Sequence, residues 1–447
     1  MVSKKIIDAK DYGEYIRTLF GNSDENTMCV CRDITFQITG ECNLKCSYCY
    51  EHHKDCGKMS EDTGKKIVDY LLDLYEKDDS DYINKKTKAL IFDFIGGEPL
   101  LEAELIEHIY DYFVDQCWER NIPLVEFSRI SFATNGQLWF SPAAQHLFKK
   151  YHDIMSITVS IDGVKELHDA FRVNEFGIGS FSNAYAAFQD AKRYGWYNSK
   201  MTFVPSSTKY VFDSVKMMVN EGCDRIFCNY AYEPVYTKED ARNIYLELKK
   251  VSNWFVDNHI NAFLSILDSE CGELPDATDD KNYCGGTGSM LSFSPDGKAY
   301  PCIRYAPISI GKEKAEKMCL GNYYDGLYAT QYQKDLKAML NGITRSSQST
   351  GECLNCPVGS GCGWCSGYCY ELTGTPNKRV THICNAHKGR VLATCYYRNK
   401  RYLEIGDVEP KKINLPYDET REIISDAEAV ELFMLEKKAF EKKEGCK

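Results

Sequence analysis

The stretch ECNLKCSYCYE (41–51) sets Cys42, Cys46 and Cys49 close together, directly after the apolar run DITFQIT (33–39). Thiols grouped this tightly suit metal binding. A structural zinc site closes its tetrahedron with four ligands and favours paired C-x-x-C hooks. A cubane iron–sulfur cluster also needs four thiolates if the protein closes it alone. Three thiolates leave one position open, as a metal site does when something must bind there and react. A second set follows far downstream: Cys284, Cys302, Cys353, Cys356, Cys362, Cys365, Cys369 and Cys384, with Cys319 in EKMCLGNYYDG. A zinc ribbon is the plain alternative for C-x-x-C pairs of this kind.

The elements that must position these thiols are legible as periods. Short β-rich runs recur at 33–39, 89–95, 129–133, 154–160, 200–205 and 225–230. Between them lie segments of helical period, such as 60–77, opened by Ser60, and 101–120. Strands alternating with helices indicate βα units on a parallel sheet. Six strands fall short of the eight that close a full barrel, so the expected α/β fold is a partial (βα)6 TIM-like barrel over residues 30–235. Sites in such folds lie at the C-terminal ends of the strands. The cysteine triad follows the first strand, GGEP (96–99) the second and TNG (134–136) the third, while SIDG (160–163) ends the fourth. SPDGKAYPC reads as strand, turn, strand, so that Cys302 leaves a hairpin. The expected order is an N-terminal extension over 1–31, the barrel over 32–236, a helical bridge over 237–280, a cysteine-rich domain over 281–400 and a tail with a helix over 401–447. In that tail the apolar stripe is Val430, Phe433 and Phe440, a face expected to pack on the body.

Composition removes several classes. A net charge of −11 argues against nucleic acid or an anionic membrane as the main partner. No apolar run approaches the roughly 20 residues of a membrane span, and the start, MVSKKIIDAKDYGEY, lacks the apolar core of a secretion signal. The expected location is the cytoplasm, where thiols stay reduced. Twenty-one cysteines there point to metal rather than disulfides. Cys117, Cys223 and Cys228 sit in apolar contexts and read as small core residues. Cys29 and Cys31 precede the first strand and could approach the first metal group, and Cys446 reads as a free tail thiol.

C-x-x-x-C-x-x-C with Tyr48 before the last cysteine resembles the signature of the radical S-adenosylmethionine (SAM) enzymes. GGEP resembles that superfamily's contact to the SAM amino group, and SIDGVKELHDAFR the stretch contacting ribose and carboxylate. The resemblance implies a [4Fe–4S] cluster on Cys42, Cys46 and Cys49, its fourth iron chelated by SAM, and reductive cleavage of SAM to a 5′-deoxyadenosyl radical. It implies cofactor contacts from Tyr48, Gly96, Gly97, Glu98, Asn135, Ser160, Asp162 and Arg172. Plainer roles stay open: the glycines as a turn, Ser160 and Asp162 as helix caps, Arg172 as a surface charge. The downstream spacing resembles the SPASM domain, which carries two auxiliary [4Fe–4S] clusters and so implies three clusters in all. C-x12-G-x4-C (Cys284, Gly297, Cys302) fits that pattern, whereas its C-x2-C-x5-C-x3-C half meets Ser366 at the last place, flanked by Cys365 and Cys369. Cys353, Cys356, Cys362 and Cys384 are assigned to a distal cluster. Cys284, Cys302 and one of Cys365 or Cys369 are assigned to a proximal one, with Cys319 or an open iron completing it. An additional cysteine of some members is replaced by Met290.

Members with both domains mostly modify peptides and proteins. Sulfatase maturases place an Asp after the hairpin cysteine, where this chain has Ile303 and Arg304. A maturase forming thioethers in a cysteine-rich ribosomal peptide fits better, since an open auxiliary iron could take a substrate thiolate. Sulfatase-type or carbon–carbon chemistry is the alternative, and a non-catalytic iron–sulfur or zinc scaffold the reading from a different class. The implied partners are the precursor peptide or protein and an external flavodoxin- or ferredoxin-type electron donor. Only about 32 residues precede the first strand, so a leader is expected to be recognised elsewhere or by a separate protein.

Overall fold

Runs of β-branched and aromatic residues with near-continuous burial, such as ALIFDFI, suit strands covered on both faces. In the computed structural model, which describes residues 30–275 and 278–445, six such runs lie side by side in chain order, all parallel. They are β1 (Val30–Thr39), β2 (Thr87–Gly96), β3 (Arg129–Thr134), β4 (Met155–Ser160), β5 (Asn198–Phe203) and β6 (Arg225–Tyr230). Returning helices are α1 (Glu61–Lys77), α2 (Ala103–Glu119), α3 (Pro142–Tyr151), the short α4 (Lys165–Phe171) with α5 (Phe181–Ala191), and α6 (Val211–Asn220). Ser60 caps α1 by accepting the Thr63 amide at 3.0 Å. The partial βα barrel expected from the sequence is therefore the architecture present.

After β6, α7 (Lys238–Asp257) leads to a two-residue strand, β7 (Phe263–Leu264), parallel to β6. The region 237–280 is thus helix plus one strand of the same sheet. The hairpin β8 (Leu291–Phe293) and β9 (Lys298–Tyr300) turns at Gly297, whose φ of 80° suits glycine. Its first strand pairs in parallel with the outer edge of β1, Ile34 opposite Leu291 and Phe36 opposite Phe293. With β10 (Gly321–Asn322) and β11 (Gly326–Leu327), the cysteine-rich half extends one continuous sheet of 11 strands. Phe293 is fully buried, its ring 6.3 Å from Phe36, which in turn meets Phe92 and Phe94.

Downstream, α8 (Ser366–Thr373) precedes the long α9 (Cys384–Glu404). α9 runs against α7 so closely that a Cβ on Gly389 would lie 2.4 Å from the Ala241 carbonyl oxygen. The tail helix α10 (Asp426–Gly445) buries Ala429, Leu432 and Ala439. That corrects the expected stripe: Val430 is 52% exposed, and Phe433 and Phe440 are only partly buried. Close packing selected the small residues of the face over its bulky ones. Among the described residues no helix is long and apolar enough to cross a membrane.

Because the ring of Phe293 joins both halves of the sheet, Phe293→Ala is expected to lower stability by about 3–5 kcal/mol, read from urea unfolding under anaerobic conditions.

Candidate active site

The triad sits on a loop that leaves β1 and returns to it. Gly40 N–H donates to the Gly57 carbonyl at 2.8 Å and Met59 N–H to that of Ile38 at 2.8 Å, closing the neck. Within the loop, Lys45 and Ser47 amides donate to the carbonyls of Val173 (2.7 Å) and Phe171 (3.1 Å), at the end of α4, and the His53 amide donates to Ile308 of the cysteine-rich half (3.0 Å). Cys42, Cys46 and Cys49 are all partly buried and open on one cavity of about 480 Å³. Burial pushes all three thiols up, Cys42 to about 11, against the pull of the Lys54 ammonium. The loop therefore holds thiols that release protons when metal binds. Among the described residues no three His, Cys, Asp or Glu side chains converge on a single ion. A four-iron cluster does not ask for that, since each thiolate takes its own iron, and three thiols around one cavity fit such a group.

GGEP closes the opposite wall. A Cβ on Gly97 would stand 2.2 Å from the Glu41 carbonyl oxygen, and one on Gly96 2.4 Å from that of Thr39. Only glycine lets β2's end lie against the cysteine loop. Glu98, 1% exposed, accepts hydrogen bonds from the Leu100 amide (3.1 Å), the Thr134 hydroxyl (2.6 Å) and the Asn135 amide (2.8 Å). An ionised carboxylate has about four acceptor sites, so one remains. Asn135 donates from its side chain to Asn43 at 2.7 Å, beside Cys42.

Beyond β4, Asp162 and Arg172 form a buried bidentate ion pair, Nε to Oδ2 at 2.8 Å and Nη2 to Oδ1 at 3.2 Å. The Tyr48 hydroxyl donates to the same carboxylate, the Thr202 amide donates to it at 2.9 Å, and the guanidinium lies 5.3 Å over the Tyr48 ring. Arg172 is thus no surface charge, and α4 begins after Val164 without a side-chain cap from Ser160 or Asp162. Ser160 and Arg172 both line the cavity. His168 accepts the Asp162 amide at Nδ1 (3.3 Å), and burial holds it down to about 4, so it is neutral at pH 7.

The downstream cysteines separate into two groups. Cys353, Cys356, Cys362 and Cys384 line one small cavity of about 50 Å³ with Arg345, Arg379 and Lys388. In the second, Cys284 Sγ is 3.1 Å from the Ser366 hydroxyl. A Cβ on Gly286 would meet both Cys302 Sγ (3.0 Å) and that hydroxyl (3.2 Å). Cys365, adjacent to Ser366, is the third thiol in electrostatic reach of Cys284 and Cys302. Cys369 is fully buried one helical turn on, beside Trp364 and Val380, and Cys319 bonds the Gly321 carbonyl at 3.3 Å, away from both groups. Cys117, Cys223 and Cys228 are buried core residues. Cys31 is the second residue of β1, at the end of the strand opposite the triad, while Cys29 and Cys446 lie outside the described residues.

Several charged cavity residues had no site role in the sequence reading, Glu51, Lys54, Lys200 and Arg304 among them. Glu51 and Lys54 follow the triad directly, and burial pushes the Glu51 carboxyl up to about 7. Lys200 points inward from β5, and Arg304 reaches in from the hairpin's exit. For Glu51 and Lys54 the signal was proximity to the cysteines; for Lys200 it was a charge inside a strand of the core. Asp162→Ala, by stranding Arg172, is expected to cost about 3–5 kcal/mol in urea unfolding, most of it recovered in Asp162→Ala/Arg172→Met.

Residues 36–248 match the family profile of the radical SAM superfamily. An uncharacterised protein of Methanocaldococcus jannaschii is 30% identical over 196 residues, 44% of this chain and 61% of its own length. The radical SAM cyclopropyl synthase TigE of Paramaledivibacter caminithermalis is 23% identical over 80% of this chain and 71% of its own. The solved structure of native anSMEcpe with bound AdoMet superposes with a TM-score of 0.60 at 17% identity, covering 84% of this chain and 99% of that one. Profile, relatives and shared fold agree with the cysteine loop and the barrel that carries it: residues 36–248 are a radical SAM domain.

Proposed function

We propose that the chain is a radical SAM maturase acting on a ribosomally made, cysteine-rich peptide and joining a cysteine sulfur to a carbon. One observation carries this. The cavity walled by Cys42, Cys46 and Cys49 is closed on its far side by Trp364, Cys365 and Arg304 of the cysteine-rich half, so the triad shares one chamber with Cys365 of the second thiol group. A [4Fe–4S] cluster with SAM, when bound, supplies a hydrogen-abstracting 5′-deoxyadenosyl radical. The chain's part is placement. Cys42, Cys46 and Cys49 would hold the cluster, the spare acceptor site of Glu98 would receive the ammonium of SAM and Arg172 its carboxylate, with Ser160 and Asn135 completing the wall. Tyr48 and Asp162 keep the Arg172 guanidinium in position.

Cys353, Cys356, Cys362 and Cys384 would hold a distal auxiliary cluster, and Cys284, Cys302 and Cys365 a proximal one with a place for a substrate thiol. Holding that sulfur beside the reacting carbon makes the coupling effectively intramolecular. Each link forms one S–C bond and removes one hydrogen from carbon and one from sulfur. An external flavodoxin- or ferredoxin-type donor would supply the one electron that cleaves SAM. The carbon's hydrogen would leave in 5′-deoxyadenosine and the thiol's as a proton, and the electron released on S–C bond formation would return through the auxiliary group to that carrier. The 18 cysteines from Cys42 to Cys395 are free thiols, consistent with work in the reducing cytoplasm. Carbon–carbon coupling is the second reading, favoured by the length of the match to a cyclopropyl synthase.

Two measurements test this reading. Cys42→Ala, Cys46→Ala and Cys49→Ala should each abolish 5′-deoxyadenosine release while iron in the second half remains; release at the parental rate removes the radical assignment. Co-expression with a cysteine-rich peptide encoded beside this gene should yield a product short of two hydrogens per link, with cysteines that no longer alkylate. A product with every cysteine alkylatable rules out sulfur coupling and leaves the carbon–carbon reading.

A further inference from the structure

Arg304 occupies the seam between the two thiol groups. It follows Cys302 by two residues and lines the shared cavity. Its guanidinium is sandwiched by rings, 4.6 Å from the centre of Tyr50, which adjoins Cys49, and 5.5 Å from that of Tyr368. Nη1 pairs with Glu233 at 2.9 Å, while Nη2 stands 3.7 Å from Glu371, too long for a hydrogen bond. Nε and Nη2 are both buried with no hydrogen-bond acceptor. Together they form one edge of the fork, the edge Arg172 turns on Asp162.

Leaving charged donors buried and unmet is costly, and solvent reaches neither atom. No described residue of the chain supplies the acceptor these two donors lack. The neighbouring thiol is Cys365, whose sulfur accepts the Tyr368 amide (3.4 Å) at the start of α8. Gly367 fixes the approach: a Cβ there would come 2.6 Å from Arg304 Cβ.

We propose that Arg304 Nε and Nη2 donate hydrogen bonds to sulfur atoms of the iron–sulfur group held by Cys284, Cys302 and Cys365, and that Arg304 thereby raises the group's reduction potential. The inference rests on the proximal-cluster reading above. Hydrogen bonds to cluster sulfurs and nearby charge set such potentials, and a cation favours the reduced, more negative state. Arg304 is thus a positioning and tuning residue, and its two ring contacts join the sensitivity of this group to the loop that carries the triad.

Anaerobically reconstituted protein, titrated potentiometrically and followed by electron paramagnetic resonance, provides the test. Arg304→Gln should keep the iron content, move one auxiliary midpoint to more negative potential and alter that signal; Arg304→Lys, keeping charge without the fork, should fall between. Unchanged iron with unchanged midpoints and spectra in both variants would show that Arg304 serves packing alone and overturn the proposal. If the Gln variant folds poorly, the Lys variant decides on the same criteria. Cys284→Ala separates the two layers: if it leaves the iron content at the parental level, the proximal-cluster reading itself fails.

Discussion

The loop bearing Cys42, Cys46 and Cys49 has no helix or strand of its own, so its shape is imposed by what it is bonded to. One backbone hydrogen bond joins the two ends of its neck, another ties the neck to β1, two hold its middle to the end of α4, and one reaches Ile308 in the other half. Local propensity cannot hold three thiols at fixed separations around a cavity, whereas main-chain bonds to three separate rigid pieces can. Much of the surrounding sequence then follows. The glycines at 96 and 97 are where β2 would otherwise collide with this loop. The Asp162–Arg172 pair supports Tyr48 from beneath.

The cavity is also costly in a way that identifies it. Glu51, Glu98, Arg172, Lys200 and Arg304 crowd its walls, with Asp162 paired behind Arg172, in a region where an ordinary α/β barrel packs branched aliphatics. Burial disfavours the charged form of each, and the structure offsets this with pairs and amide donors at Glu98, Asp162 and Arg172. Glu51 is less well compensated, hence its upward shift to about 7. Unmet polarity of this sort is kept where a charged ligand will arrive.

Much of this was readable in the chain itself. The six strands appear within three residues of where β-rich runs stand, because β-branched and aromatic residues cluster where a strand packs against its neighbours. GGEP and SIDG fell at strand ends by the same count. What was not readable depended on pairing between distant segments. Nothing in LSF or KAY indicates that their hairpin docks on β1, since three-residue strands carry almost no pattern. Asp162 and Arg172, read separately as ligand contacts, meet because α4 turns one back upon the other. Cys365 and Cys369 were indistinguishable in sequence; Cys365 is the extended N-cap residue of α8, beside Cys284 and Cys302, whereas Cys369 lies within the helix beside Trp364. The tail's stripe misled because bulky residues catch the eye while alanines make the closest contact.

The pairing of β8 with β1 also bears on how the protein is made. Ile34 leaves the ribosome long before its partner Leu291. At about 5–20 residues per second the interval is on the order of 10–50 s, during which β1 presents a bare edge. Such an edge is a template for pairing with another nascent chain, and a contact of such long sequence separation closes slowly. The barrel and the cysteine-rich half are accordingly poor candidates for free exchange during evolution. A replacement C-terminal half would function only if it supplied a strand in the register of Leu291–Phe293, so the two travel as a single inherited unit.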